Sequence, residues 1–285
     1  MNKEINKQLK GRTVLVTGGA GSIGSALVEK ILEYPIKSIR IMDIDEHALF
    51  RLGRTLKNPK ARLLLGNILD KERIEMACNN VDIIFHTAAI KNIEISEFNP
   101  IETIDTNING TVNLIKTAMK TKPKIFINVS TDKAAESSTL YGSTKNLGEK
   151  LIFWAGKHLP PTKYASIRFG NVIETRGNVF EVWDEEKNLN KPLSITHPDM
   201  RRYFFKIDDA VNFILKCLPK ASKGEIYVPK MKSYKITTLA KKISNKHKII
   251  GPRPGEKMNE ILIAESEKQN MIEKKDMWII QPKKF

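Results

Sequence analysis

Tyr141 and Lys145, four residues apart in Tyr-Gly-Ser-Thr-Lys, open a stretch with helical apolar spacing that runs to about residue 157. Residues at this spacing share one helix face, so an ammonium lies beside a phenol. That charge favours the phenolate and lowers the phenol toward a usable base. Just upstream, an apolar run ends in Val129-Ser130-Thr131-Asp132-Lys133. Thr131 at the strand end can hydrogen-bond the same substrate hydroxyl as the phenol. Asp132 and Lys133 add a carboxyl and an amine at the same turn. Taken alone, Tyr-x-x-x-Lys is most often a surface pair, and Asp-Lys an exposed ion pair. A second motif gives them weight.

That motif is Thr17-Gly18-Gly19-Ala20-Gly21-Ser22-Ile23-Gly24. Val14, Leu15 and Val16 before it read as a buried strand, and Ala26, Leu27, Ile31 and Leu32 after it as one helix face. A strand that turns through glycines into a helix aims backbone N–H groups and the positive helix end at one spot, which suits a pyrophosphate. Gly19-x-Gly21-x-x-Gly24 fits the dinucleotide fingerprint. Asp43 follows Gly24 by 19 residues, at the end of a second strand, Ile39-Arg40-Ile41-Met42, where an acid accepts hydrogen bonds from the adenosine ribose. A bound nicotinamide would take hydride from a carbinol while Tyr141 and Thr131 handle its proton.

The elements that must position these residues alternate. Short apolar runs at 12–17, 38–43, 61–66, 82–87, 124–130 and 164–169 read as buried strands of a parallel sheet covered on both faces. Helical patterns lie near 22–33, 46–57, 71–78, 100–120 and 141–157. The fold class is α/β: a Rossmann-type doubly wound parallel sheet over residues 1–172, with a smaller C-terminal cap over 173–285 at the carboxyl ends of the strands. Loop signals such as Asn188-Leu189-Asn190-Lys191-Pro192 and Gly251-Pro252-Arg253-Pro254-Gly255 mark the cap.

With 285 residues and 41% hydrophobic content, the chain can bury a large core. Cys78 and Cys217, both among apolar neighbours, read as inert thiols in a reducing compartment. The N-terminus lacks the apolar region of a signal peptide, and no apolar run approaches the ~20 residues of a membrane span. A soluble, cytoplasmic protein without membrane partners is expected. The formal charge of +16 raises nucleic acid as a partner. The lysines are spread singly or in pairs, however, so no nucleic acid is expected; the basic field suits a small anionic substrate. No metal site is expected.

These motifs together resemble the extended short-chain dehydrogenases/reductases, in the branch acting on nucleotide sugars for polysaccharide and flagellar glycan synthesis. The likeness is greatest to the inverting UDP-N-acetylglucosamine 4,6-dehydratases of pseudaminic acid synthesis. Besides TGGAGSIG and VSTDKA, it runs through His86–Lys91, Asn107–Thr111, Arg168–Val172, Arg176–Val179, Thr196–Tyr203, Gly224–Lys230 and Arg253–Lys257. The resemblance implies a catalytic set of Thr131, Asp132, Lys133, Tyr141 and Lys145. Tyr141 and Thr131 assist oxidation of the sugar C4 hydroxyl. Lys133, as a neutral amine, removes the acidified C5 proton, and Asp132, as an acid, protonates the leaving C6 hydroxyl. Hydride then returns to C6, and C5 is reprotonated with inversion.

The same resemblance implies cofactor contacts from Thr17, Gly18, Gly19, Gly21, Ser22, Ile23, Gly24, Asp43, Asn67, Ile68, Ala88, Ala89, Lys91, Asn107, Tyr141 and Lys145. It implies substrate contacts from Lys91, Thr131, Asn171, Val179, Arg202, Arg253 and Glu256, with the two arginines on a UDP diphosphate and Glu256 on its ribose. Arg176 and Lys230 are further candidates. Asp43 followed by Ile44, where NADP-using relatives place a small residue and Arg, points to NAD, since a carboxylate repels a 2′-phosphate; Arg40 and Arg51 keep NADP open. Glu136–Thr139 and Glu174-Thr175 depart from the family pattern around the sugar. They keep two alternatives in view: a partial reaction on a UDP-6-deoxy-GlcNAc-5,6-ene, and a C5 epimerase. A non-catalytic NAD-binding protein and a nucleic-acid-binding Rossmann protein are the remaining classes. Helices near 100–120 and 141–157 pair between subunits in relatives, so a homo-oligomer is expected.

Overall fold

The computed structural model describes residues 2–253 and 255–282. Six parallel strands carry the first half of the chain: β1 (Thr13–Thr17), β2 (Ser38–Asp43), β3 (Ala61–Leu65), β4 (Ile83–His86), β5 (Ile125–Thr131) and β6 (Lys163–Phe169). The later strands are β7 (Asn171–Val172), β8 (Leu193–Ile195), β9 (Arg201–Phe205), β10 (Lys223–Pro229), β11 (Ser233–Lys235), β12 (His247–Ile249), β13 (Met271–Glu273) and β14 (Met277–Ile280). The main sheet has the order β13-β14-β10-β6-β5-β4-β1-β2-β3. Its β3-β2-β1-β4-β5-β6 portion is the doubly wound order, which reverses between β1 and β4 and so opens a crevice at their carboxyl ends.

Each central strand is apolar on both sides. Val14, Val16, Ile83, Phe85, Ile125 and Ile127 pack into one core. Leu15, Ile84 and Phe126, at the intervening positions, pack into the other. Continuous apolar strands are therefore the right signature for a sheet with helices on both faces. The helices start where short polar side chains can satisfy first-turn amides. Asp45 caps Glu46–Leu56, Asp70 caps Lys71–Cys78, and Thr139 caps the long helix Leu140–His158. Both cysteines are free and buried. Burial pushes the Cys78 thiol up to about 12, so it is inert at neutral pH.

The structure differs from the sequence reading in three places. The third strand is not buried: β3 is an edge, with Leu63 and Leu65 exposed, because nothing pairs with its outer side. The helix expected over 100–120 is broken into Pro100–Ile104, a π-helical turn Asp105–Asn109 and Gly110–Thr121, and is preceded by a further helix, Ile93–Phe98. The division at residue 172 does not follow the sheet. β10 pairs parallel with β6, and β14 and β13 extend it antiparallel. The helix Ile207–Cys217 returns to pack on Ser22–Leu32. What remains apart is a small lobe with its own core of Trp183, Leu193, Ile195, Met200 and Phe204. It is built from the helix Val179–Asn188, the sheet β11-β9-β7 and the pair β12-β8.

One ion cluster ties these parts together. Arg168 on β6 is fully buried; Nε and Nη2 donate to Glu149 at 3.0 and 2.6 Å, and Nη1 and Nη2 to Glu267 at 2.7 Å each. Glu149 lies on the long helix, and Glu267 in the 3-10 turn Glu265–Asn270. Arg168→Ala strands both carboxylates, so we expect a loss of about 3–5 kcal/mol in denaturant unfolding. A loss under about 1 kcal/mol would show the cluster to be dispensable.

Candidate active site

The glycine loop closes tightly over the crevice. Gly18 has φ +66°, and a Cβ there would stand 2.6 Å from the Ala88 backbone. A Cβ at Gly24 would stand 2.2 Å from the Gly18 carbonyl oxygen. Only glycines let β1, the end of β4 and the helix start meet so closely. No side chain caps the helix Ser22–Leu32 at Gly21, which leaves its N-terminus suited to an anion. Asp43 stands at the loop's edge, its carboxylate accepting from Ala20 N–H at 2.9 Å and Asp45 N–H at 3.1 Å. These features fit a dinucleotide: a Cβ-free cradle for the pyrophosphate with a carboxylate on the ribose side.

Behind the loop runs a buried relay. The Thr111 hydroxyl donates to the Asn107 carbonyl at 2.7 Å, so it accepts from His86 Nε2–H at 3.0 Å; Nδ1 then accepts from the Thr17 hydroxyl at 2.8 Å. Burial, reinforced by the Lys145 ammonium, lowers His86 to about 3, so the ring is a neutral strut. Thr17 thus props the end of β1 against β4. Asn107 spends its amide on the protein: Oδ1 accepts from Ile90 N–H at 2.8 Å, and Nδ2 donates to the Ile90 carbonyl at 2.9 Å and to Thr144 at 3.0 Å. From its place in the π-helical turn it therefore holds the segment after β4. Asn67 Oδ1 is likewise used, accepting from Leu69 N–H at 2.9 Å in its own turn. The adjoining Ile68 packs against Gly110.

At the carboxyl end of β5 six side chains meet. Thr131 lies close enough to Tyr141 to draw its phenol down, and the Thr131 hydroxyl donates to Asp132 Oδ1 at 3.0 Å. Lys133 Nζ donates to Asp132 Oδ1 at 3.1 Å and to Asn171 Oδ1 at 3.2 Å, and stands 3.8 Å from Glu260 Oε1. Asp132 is fully buried, and its Oδ2 has no hydrogen-bond partner. Gly170 lies beside that oxygen, 3.2 Å from it at the position of a Cβ, so a side chain there would crowd it.

Two proton affinities run against expectation. Burial pushes the Tyr141 phenol up and outweighs the downward pull of Lys133 and Thr131. Lys133 goes up too: burial lowers it, but the carboxylates of Asp132 and Glu260, with Tyr141, outweigh that, so the free site holds an ammonium rather than an amine. Lys145, buried on the Tyr141 face of its helix, goes down to about 8 by burial, partly opposed by Glu149.

The remaining candidates form a basic rim. Lys91 donates to the Arg176 carbonyl at 2.8 Å; Arg176 in turn bonds Ser22 through its N–H at 3.0 Å and the Ala20 carbonyl through Nη2 at 2.6 Å. The lobe thereby reaches the glycine loop. Arg202 is buried and donates to Glu256 Oε1 at 3.0 Å. Arg253 pairs with Glu94 at 2.7 Å on the surface, and its N–H bonds Glu256 Oε2 at 3.1 Å. Val179 begins a helix capped by Asn178. Lys230 is turned away, paired with Glu273.

A family model described as polysaccharide biosynthesis protein matches residues 14–282. The chain belongs to this family. A Methanocaldococcus jannaschii protein described as an uncharacterized membrane protein is 40% identical, over 99% of this chain and 89% of its own. The inverting UDP-N-acetylglucosamine 4,6-dehydratase of Campylobacter jejuni is 36% identical, over 95% of this chain and 83% of its own. The UDP-glucose 4-epimerase of Rickettsia canadensis is 34% identical, over 89% and 78%. The X-ray structure of Pen from Bacillus thuringiensis superposes with a TM-score of 0.93 at 32% identity, covering 96% of this chain and 89% of that one. No helix among the described residues is long and apolar enough to cross a membrane.

In this polysaccharide biosynthesis protein, sequence reasoning missed Glu260, His86 as a strut, and the Arg168 cluster. Glu260 lies beyond the Arg-Pro-Gly-Glu-Lys motif, and tertiary contacts, among them the pairing of Met258 and Asn259 with Arg201, bring it to Lys133. The two lysines give a direct check. Nitrogen NMR of the lysine side chains should show Lys145 titrating near pH 8 while Lys133 stays charged well above it. The reverse order would overturn this reading of the charges.

Proposed function

We propose that the protein is an NAD-dependent enzyme that oxidises C4 of a UDP-N-acetylhexosamine and eliminates water across C5–C6, as a UDP-N-acetylglucosamine 4,6-dehydratase with inversion at C5. The observation that carries this reading is the convergence of a phenol, an alcohol, a carboxyl and an amine at the end of β5, beside a cradle suited to a dinucleotide. The similarity to the Campylobacter jejuni dehydratase supports it.

A bound nicotinamide would take hydride from C4 and return it to C6, and its positive ring would favour the Tyr141 phenolate. Gly18, Gly19, Gly21 and Gly24 would admit the pyrophosphate at the start of the helix opened by Ser22 and Ile23, Asp43 would hold the ribose, and Lys145 lies one helical turn from Tyr141. Tyr141 takes the C4 hydroxyl proton, oriented by Thr131. The C4 ketone acidifies C5–H, and Lys133 as amine takes that proton. Asp132, hydrogen-bonded to Lys133 through Oδ1, takes up a proton from it and passes one through its unpartnered Oδ2 to the C6 hydroxyl, which leaves as water. Tyr141 then returns the proton it took from the C4 hydroxyl to C5, on the face opposite Lys133. Arg202, with Arg253 beside it, meets the diphosphate. A product that enters surface-glycan synthesis and a cytoplasmic site of action follow from this substrate.

A partial reaction on the 5,6-ene sugar is the second reading. It is favoured by Glu174, which holds a left-handed φ of 67° beside the substrate loop, where the family pattern has glycine. Incubation with UDP-GlcNAc should yield a product lighter by the mass of one water, and Tyr141→Phe should lower turnover by at least about 100-fold while leaving dinucleotide bound. Turnover of the 5,6-ene alone would select the second reading, and no turnover of any UDP-sugar would end both.

We also propose a homo-oligomer. Ile95, Phe98 and Ile101 are exposed on the short helices that pack on Leu140–His158, which itself exposes Leu147 and Trp154. Sedimentation should show a dimer or larger assembly, and Phe98→Asp should shift it toward monomer. A monomeric native protein would dismiss this surface as an interface.

A further inference from the structure

Lys133 poses a problem for the proposed chemistry: the base must be an amine, yet two carboxylates hold it as an ammonium. Asp132 touches Nζ at 3.1 Å and Glu260 faces it at 3.8 Å. Both carboxylates are nearly fully buried, so water is poorly placed to remove the extra proton. Glu260 is the less well held of the two. Asp132 Oδ1 accepts from the Thr131 hydroxyl as well as from Lys133. Glu260 has burial and the neighbouring Asp132 charge working against its ionised form, and the cations Lys133, Arg202 and Lys257 working for it.

The position of Glu260 is also fixed from the nucleotide side. Met258 O accepts from Arg201 N–H at 3.0 Å, Gly255 O accepts from Ser138 at 2.7 Å, and Lys257 donates to the Glu136 carbonyl. The segment therefore spans from the basic rim to the acid–base cluster. Arg202 Nη1 donates to the Met258 carbonyl at 3.2 Å, two residues before Glu260, and its positive charge favours the Glu260 carboxylate. An anion that engages Arg202 removes positive potential from Glu260.

We propose that Glu260 accepts the proton of Lys133 when a nucleoside diphosphate engages Arg202, so that substrate binding itself creates the amine base. One N–H bond of Lys133 breaks and its electron pair stays on nitrogen. One O–H bond forms on Glu260, and no proton is exchanged with solvent. When product leaves, the positive potential of Arg202 returns and the proton goes back. Glu260 acts through Lys133 and is a positioning residue for charge. The inference deepens the proposed function and rests on it.

Two experiments test it. In the native protein, nitrogen NMR of Lys133 near neutral pH should change from ammonium to amine on saturation with UDP, followed in parallel by calorimetry. UDP that saturates the protein while Lys133 remains an ammonium overturns the role of Glu260; failure of UDP to bind overturns the proposed function instead. In heavy water with UDP-GlcNAc, Glu260→Gln should still form reduced nicotinamide but place deuterium at C5 at least about 10-fold more slowly. Its exchange rate should climb with pH, because the amine then forms only by losing its proton to solvent. Glu260→Asp, which keeps a carboxylate, should restore part of the rate and the flatter native profile. Native exchange with a native pH profile in Glu260→Gln would exclude the transfer.

Discussion

An ammonium held between two carboxylates, where water barely reaches, is the interaction on which the site depends. Charges in such a place attract strongly and are costly to leave alone, so each must be held by the fold. Lys133 and Asp132 come from the turn after β5, Asn171 from β7, and Glu260 from a segment near the end of the chain. No one element could assemble them. The carboxyl ends of neighbouring parallel strands converge where the sheet order reverses, and there side chains distant in sequence share one small volume.

The same logic explains how the site is kept rigid. Arg168 lies on β6, and its two carboxylate partners lie on the helix that carries Tyr141 and Lys145 and on the turn after residue 264. The C-terminal segment that brings Glu260 to the site is thus anchored on the far side by a second buried ion cluster. Leu262 adds its carbonyl to the Arg168 guanidinium at 3.0 Å, only two residues beyond Glu260. The helix Leu140–His158, the central sheet and the segment through Leu262 and Glu267 are thereby tied to one buried guanidinium.

Much of this was legible in sequence because it is local. The glycine loop and Asp43 depend on spacings within one βαβ unit, and Tyr141 with Lys145 depends on a single helical turn. Thr131, Asp132 and Lys133 are consecutive. The parallel strands were visible as apolar runs without alternation, since both faces are covered. β3 was misread because an edge strand can carry the same Leu-rich run while leaving Leu63 and Leu65 in water. Asn107 fell in a recognised motif, but a motif does not say whether an amide faces a ligand or clamps the backbone of Ile90. The break at Asp105–Asn109 left no glycine or proline inside the turn to announce it.

Sequence alone determined which reactive groups exist and which lie within a helical turn or a strand end of each other, because those distances follow from backbone geometry. Tertiary structure alone decided their charges. Whether Lys133 is an amine or an ammonium depends on burial, on Asp132 and on Glu260, more than a hundred residues away along the chain, and whether the Tyr141 phenol is lowered or raised depends on burial against the pull of Lys133. Proton affinity is set by solvation and by every charge within a few ångströms, and only the folded chain defines both.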